Sequence, residues 1–362
     1  VDKRLTDIFI EVISIEGISA NERKVADYIT SFLQNINLKP FEEQYEKLPE
    51  GNTGNIICPV GTGGNFVLLS HMDTARSTAG VKPCFGADRI TSDGTTVLGV
   101  DNRAGIACLL YSIEKLVNEK KPLSDFTIAF TVQEETTLYG SMSVGLNGNI
   151  KKGFVFDSHT RPGNVICQSA GSIGFTIKIF GKASHSGIAP EKGIDSVKIA
   201  ADAISKIKFG KIDEDTTANI GIIRGGSATN VIPELTVIEG EVRSMVPSKI
   251  ENKIKEIEKV FTETSLRYGG SCEMNSSWNF KPYNVAPESD TYKMIERAIK
   301  NAGLNPVRNS SKGGSDANSL NEKGIECVNL GIGAENPHSN DEFILYEDLE
   351  KTAQIVMELM KQ

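Results

Sequence analysis

Histidine is scarce in this chain, with four in 362 residues, and tryptophan occurs once. No run of roughly 18 or more apolar residues is present, so no membrane-spanning helix and no membrane partner are expected. The opening Val1-Asp2-Lys3-Arg4 lacks the apolar stretch of a secretory signal, which points to a cytoplasmic protein. The six cysteines (Cys58, Cys84, Cys108, Cys167, Cys272 and Cys327) are scattered without a CxxC pair. They read as reduced thiols, mostly buried small hydrophobes. A basic tract is also missing. The net charge is −8 with a pI of about 5.3, and the charge clusters at 42–50 and 251–259 are mixed or acidic. No nucleic-acid partner is expected from such a balance. Phosphate-binding P-loops, dinucleotide fingerprints and the GxSxG elbow are absent as well.

What is present is an ordinary soluble composition, 39% hydrophobic and 24% charged, in a chain long enough for two domains. The N-terminal part alternates helix and strand patterns. Apolar spacing predicts helices over 5–15, 22–33 and 104–116, the second capped by Ser19 and Asn21. Short apolar runs predict strands over 55–58, 66–70, 126–132 and 154–156. This order implies an α/β sandwich with a largely parallel sheet. From 174 to 278 the order becomes β-α-β-β-α-β, a complete split ferredoxin-like unit. Its second helix repeats apolar residues at 250, 254, 257 and 261. After Pro282 the first style returns, with helices over 291–302 and 345–361 around a strand at 326–331. The expectation is a larger domain of residues 1–169 and 283–362, carrying residues 170–282 as an inserted α+β lid domain.

Several apolar strands end in metal-binding residue types. Leu68-Leu69-Ser70 runs into His71-Met72-Asp73-Thr74. A histidine at a strand's carboxyl end can hold a metal while the nearby Asp73 accepts its other ring proton; a purely structural His–Asp hydrogen bond competes with that reading. Asp101 stands at the turn before a helix, where it could cap the helix or bridge two ions. Phe130-Thr131-Val132-Gln133 leads into Glu134-Glu135, and Phe154-Val155-Phe156 into Asp157. Pro337-His338-Ser339-Asn340-Asp341-Glu342 follows a strand and a glycine-rich loop, and Ala183-Ser184-His185-Ser186-Gly187 lies in the insert. Two histidines and three carboxylates suit zinc, and five ligands exceed what one tetrahedral ion needs. Two ions sharing a carboxylate fit better.

These motifs, in this order across nearly the whole chain, resemble the peptidase T branch of the dizinc aminopeptidase, carboxypeptidase and aminoacylase superfamily. The strongest elements are His71-Met72-Asp73-Thr74, the run from Ser92 to Asp101, and Glu134-Glu135. The resemblance implies a zinc-peptidase catalytic domain, a mixed sheet flanked by helices, with the ferredoxin-like domain as a lid. It implies two zinc ions per chain, with cobalt or manganese able to use the same ligands. His71 and Asp157 would hold one ion, Glu135 and His338 the other, and Asp101 both. Asp73 would orient His71, Glu134 would act as general base, and His185 would stabilise the oxyanion. Asn230 and Arg243 would bind the substrate carboxylate, and Gly314 would make a backbone contact to substrate. Asp at 157 goes with the aminopeptidases and dipeptidases of the superfamily, where many carboxypeptidases and deacylases have Glu. The implied activity is therefore hydrolysis of short peptides, tripeptides among them, from the amino end. A carboxypeptidase or N-acyl-amino-acid amidohydrolase with the same metal site is the alternative, and a non-catalytic metal-dependent binding protein is a third reading. Retention of Glu134 and His185 argues against the third. The lid's sheet edge and helices also offer a surface for a homodimer, which the sequence leaves open. The chain departs from the family pattern at Gln133, where an Asp is common, and over 136–141, where a tighter glycine pattern is usual.

Overall fold

The computed structural model of the chain describes residues 2–43 and 51–362. Most of the charge cluster at 42–50 lies outside the described residues. Two compact units emerge. One comprises Val1–Gln168, Asn284–Ser311 and Ser315–Gln362, and the other Ser169–Tyr283 with Lys312–Gly314.

The first unit is built on a mixed sheet. Seven of its nine strands run in the spatial order Phe41–Glu42, Ile56–Val60, Phe126–Thr131, Phe66–His71, Lys152–Ser158, Glu326–Gly331 and Asn164–Ser169. Only four of these, from Phe126–Thr131 to Glu326–Gly331, are mutually parallel. The flanking pairs are antiparallel, so the sheet is less parallel than the alternating pattern suggests. The parallel core shows in its sequence: Phe126–Thr131 and Phe66–His71 are buried at every position, as strands covered on both faces must be. Phe66 stacks on Phe126 at 5.5 Å between ring centroids and meets Phe154 edge-on at 6.0 Å. The helix Val100–Asn118 packs on Phe66–His71 and against the helices Lys3–Ile13 and Tyr346–Met360. Because three of the parallel strands point the same way, His71, the Glu134-Glu135 pair and Asp157 emerge from the same end of the sheet.

The second unit is an antiparallel sheet in the order Gly210–Lys211, Thr216–Gly225, Leu235–Ser244, Gly171–Phe180, Ser271–Phe280. Apart from the short edge strand this is the ferredoxin-like order. Ile173, Phe175, Ile177 and Ile179 alternate inward from one strand. Onto them pack Ile250, Ile254, Ile257 and Phe261, one face of the helix Pro247–Arg267. Burying each such side chain stabilises the unit by about 1.5–3 kcal/mol relative to exposure. Trp278 packs against this core.

Some local expectations do not hold. A small sheet of Pro83–Phe85, Arg89–Ser92 and Phe343–Leu345 carries no apolar alternation long enough to read. The helix Arg23–Asn35 has Glu22 at its cap position and no side-chain capping bond. Ser19 is engaged elsewhere: its hydroxyl donates to Asp73 at 2.6 Å. The six cysteines are free thiols. Among the described residues no helix is long and apolar enough to cross a membrane.

Candidate metal centre

Asp101 sits at the middle of the residues gathered by the first unit. Its Oδ1 lies 3.2 Å from His71 Nε2, and its Oδ2 lies 3.2 Å from His338 Nε2. Each imidazole has a second acid of its own: His71 Nε2 is 3.0 Å from Asp157 Oδ1, and His338 Nε2 is 3.2 Å from Glu135 Oε1. His71, Asp101 and Glu135 each present a donor atom, all within 4.8 Å of one another. Asp101 enters the helix Val100–Asn118 with non-helical dihedrals, and its side chain faces the histidines instead of capping the helix.

Asp73 organises this cluster from beneath. His71 Nδ1 lies 3.0 Å from the Asp73 carbonyl oxygen and 3.3 Å from Oδ1, which leaves Nε2 facing the acids. The same carboxylate accepts the backbone N–H groups of Glu134 at 3.0 Å and Glu135 at 3.1 Å. Gln133, just before them, has a left-handed φ of 54° and donates its N–H to Glu22 at 3.0 Å. The chain thus turns sharply where the strand ends.

The charges are unbalanced in a way that fits a cation. Burial works against a charged His71, yet Asp157, Asp101 and Asp73 hold its imidazolium well above the usual range. His338 is pushed up to about 10 by its hydrogen bonds to Asp101 and Glu135. Burial, then the Asp157 charge, raises Glu134 well above the normal carboxylate range. Burial raises Asp157 and Glu135 too. Protons on the imidazoles offset crowded acids here. A divalent cation bound by neutral imidazole and carboxylates does so more completely, releasing those protons. The imidazole and carboxylate donor set, gathered at the ends of strands, fits a metal cofactor.

Comparison with known proteins agrees. Residues 168–269 match the peptidase dimerisation domain of the M20 family, and residues 88–198 match the M42 glutamyl aminopeptidase model. A Bacillus subtilis protein, YqjE, is 32% identical over 100% of this chain and 98% of its own. The solved structure of aminopeptidase PepT from Bacillus cereus superposes with a TM-score of 0.89 at 31% identity, covering 99% of this chain and 97% of that one. A Staphylococcus aureus tripeptidase superposes with a TM-score of 0.93 at 30% identity, covering 100% and 98%. The chain belongs to the peptidase T-like M20 metallopeptidases.

The residues that the M20 resemblance assigns to substrate lie in the second unit. His185 is exposed and bridges to Val231, with its Nδ1 accepting the Gly187 N–H at 3.2 Å. Asn230 adjoins it, its backbone carbonyl accepting the Ser186 N–H at 3.0 Å. Arg243 lies elsewhere in the unit, with Nε at 2.8 Å from Glu241, Nη1 donating to the Lys312 carbonyl at 3.2 Å, and its guanidinium 5.7 Å from the Phe280 ring centroid. Gly314 belongs to this second group, since a Cβ there would meet the Phe280 ring at 2.6 Å. Its lack of a side chain therefore has a packing reason beside any contact to substrate. Arg224 pairs with Glu239 at 2.8 Å on the surface.

Four acids or hydroxyls around this M20 centre have no role in the sequence motifs. Ser19 and Glu22 support Asp73 and Gln133. Asp316 is buried, takes the Thr131 hydroxyl at 2.5 Å, and is pushed up to about 6 by burial. Glu342 holds the turn before Asp101. Buried acids flanking a histidine or a glycine turn are a weak sequence signal, because their partners lie far away along the chain.

Proposed function

We propose that this metallopeptidase is a two-zinc aminopeptidase that removes residues from the amino end of short peptides, tripeptides among them. The observation that carries the two-metal part is Asp101, with one oxygen toward His71 and Asp157 and the other toward His338 and Glu135. One zinc would take His71 and Asp157, the other Glu135 and His338, with Asp101 shared; cobalt or manganese could use the same donors. The amino-end specificity is supported by the names of the two solved relatives, an aminopeptidase and a tripeptidase.

When bound, the two ions supply Lewis acidity that activates a water and polarises the peptide carbonyl. The chain's own residues do the rest. Glu134, next to ligand Glu135 and fixed through its backbone N–H to Asp73, accepts the water's proton and returns it to the leaving amine. Asp73 keeps His71 in the tautomer that presents Nε2. His185, in the inserted unit, stabilises the negative oxygen that develops on the carbonyl. Asn230 and Arg243 hold the substrate carboxylate, and the Gly314 backbone supports the peptide. The inserted unit also forms a homodimer, a reading supported by its match to a peptidase dimerisation domain. Scattered free thiols suit a reducing cytoplasm.

The test is hydrolysis of free-amine tripeptides beside their N-acetylated copies, with metal content measured on the same sample. Cleavage of only the free-amine peptides at two metals per chain is the expected result. Cleavage of only the acetylated copies would move the assignment to an acylase or carboxypeptidase.

A further inference from the structure

Glu342 has no part in the mechanism above, yet its carboxylate is only 1% exposed. The Gly99 N–H donates to its Oε2 at 2.6 Å and the Asp101 N–H to its Oε1 at 3.1 Å. The Val100 N–H also bonds to it. Three consecutive backbone donors therefore converge on one acid, at the turn that leads into the helix Val100–Asn118. The turn needs glycine: Gly99 has φ of 81°, and a Cβ there would meet Thr78 Cγ2 at 2.8 Å. Asp101 and Asn102 depart from helical dihedrals, so regular helix geometry does not fix this stretch. The carboxylate fixes it instead.

The other end of the link is the loop carrying His338. Glu342 closes that loop, its N–H donating to the Ser339 carbonyl at 3.2 Å, and the strand Phe343–Leu345 then pairs with Arg89–Ser92. One side chain thus ties the His338 loop to the Asp101 backbone, and these two ligands face each other at 3.2 Å. We propose that Glu342 is a positioning residue for the metal centre. By gripping the Gly99–Asp101 backbone it aims the bridging Asp101 carboxylate and sets its distance from His338. The proposal rests on the two-metal reading and adds a residue to it.

Glutamine is a poor substitute here. Its amide has one acceptor oxygen and turns an NH2 donor toward the remaining N–H groups. Aspartate keeps the charge and both acceptors on a stem one methylene shorter. The experiment titrates metal-free wild type, Glu342→Gln and Glu342→Asp with Zn2+ alone by calorimetry, and records the visible absorption of their Co2+ forms. The wild type should take two equivalents. Glu342→Gln should bind at least one of them tenfold or more weakly, with an altered cobalt spectrum, and Glu342→Asp should recover part of the loss. A control, Ile344→Val, thins the nearby core without touching the Asp101 turn; it should lower Tm and leave both binding steps unchanged. Wild-type affinity and spectrum in folded Glu342→Gln would overturn the proposal, whatever its Tm. If Glu342→Gln does not fold, Glu342→Asp decides alone: weakened binding supports the role and unchanged binding overturns it. A wild type that takes fewer than two equivalents overturns the two-metal reading and this proposal with it.

Discussion

Asp73 holds Glu134 by its backbone: the Glu134 N–H donates to Asp73 Oδ1 at 3.0 Å. Oδ2 of the same carboxylate takes the Glu135 N–H at 3.1 Å and the Ser19 hydroxyl at 2.6 Å. All three of these neighbours donate into this group, which is completely buried. Asp73→Asn offers one acceptor where two are used and points an NH2 at the other donors. Zinc affinity should fall by about 10–100-fold, because His71 and Glu135 both lose their support. Calorimetric titration of the metal-free variant reads this directly. Wild-type affinity would mean that backbone geometry alone places the ligands.

Glu134 should behave differently from its neighbour. It is assigned to proton transfer and Glu135 to metal binding, although the two are adjacent. Glu134→Gln should lower kcat by about 10²–10⁴ while leaving the metal content at the wild-type level. Loss of metal from this variant would reassign Glu134 as a ligand.

His185 is assigned to the oxyanion. His185→Ala should lower kcat by about 10²–10³ with the metal content and unfolding midpoint unchanged, since His185 is exposed and its hydrogen bond from the Gly187 N–H is exposed too. Equal kcat in variant and wild type on a tripeptide would remove His185 from the chemistry.

The parts of this protein that were legible in its sequence are those with a local period or a local motif. Ile250, Ile254, Ile257 and Phe261 repeat at helical spacing, and they are the buried face of Pro247–Arg267. The strands Phe66–His71, Phe126–Thr131 and Lys152–Ser158 were readable because mostly apolar runs lead into His71, the Glu134-Glu135 pair and Asp157. The supports of the centre were not readable. Ser19 reaches Asp73 across 54 positions and Glu342 reaches Gly99 across 243. Periodicity carries no information about such pairs. Ser19 even offered a false local reading, since a serine before a helix looks like its cap. The strands Pro83–Phe85 and Phe343–Leu345, three residues each, are too short to show alternation.

Glu22 gives the chain a pH-dependent stability whose sign follows from its surroundings. Its carboxylate is fully buried, and one oxygen accepts the N–H groups of Ala20 and Gln133, each at 3.0 Å. The other oxygen is buried without a hydrogen-bond partner. Burial, then the nearby Asp73 charge, pushes the group from 4.5 up to about 7. An acid raised on folding binds its proton more tightly in the native state. Its contribution is therefore fully present below about pH 4.5, is lost as pH rises toward 7, and changes no further above that. The shift corresponds to an upper bound of about 3 kcal/mol. Glu22→Gln keeps one oxygen for both N–H groups and has no charge to bury. Relative to wild type it should gain up to about 3 kcal/mol between pH 4.5 and pH 8, measured by denaturant unfolding at each pH. The metal ligands titrate in both proteins alike, so their effect cancels in the difference. Parallel curves for the two proteins would show that Glu22 ionises in the native state without cost. Its charge would then be balanced by Arg103, a guanidinium that burial pushes down to about 10 and that the Asp73 and Glu22 charges act to raise.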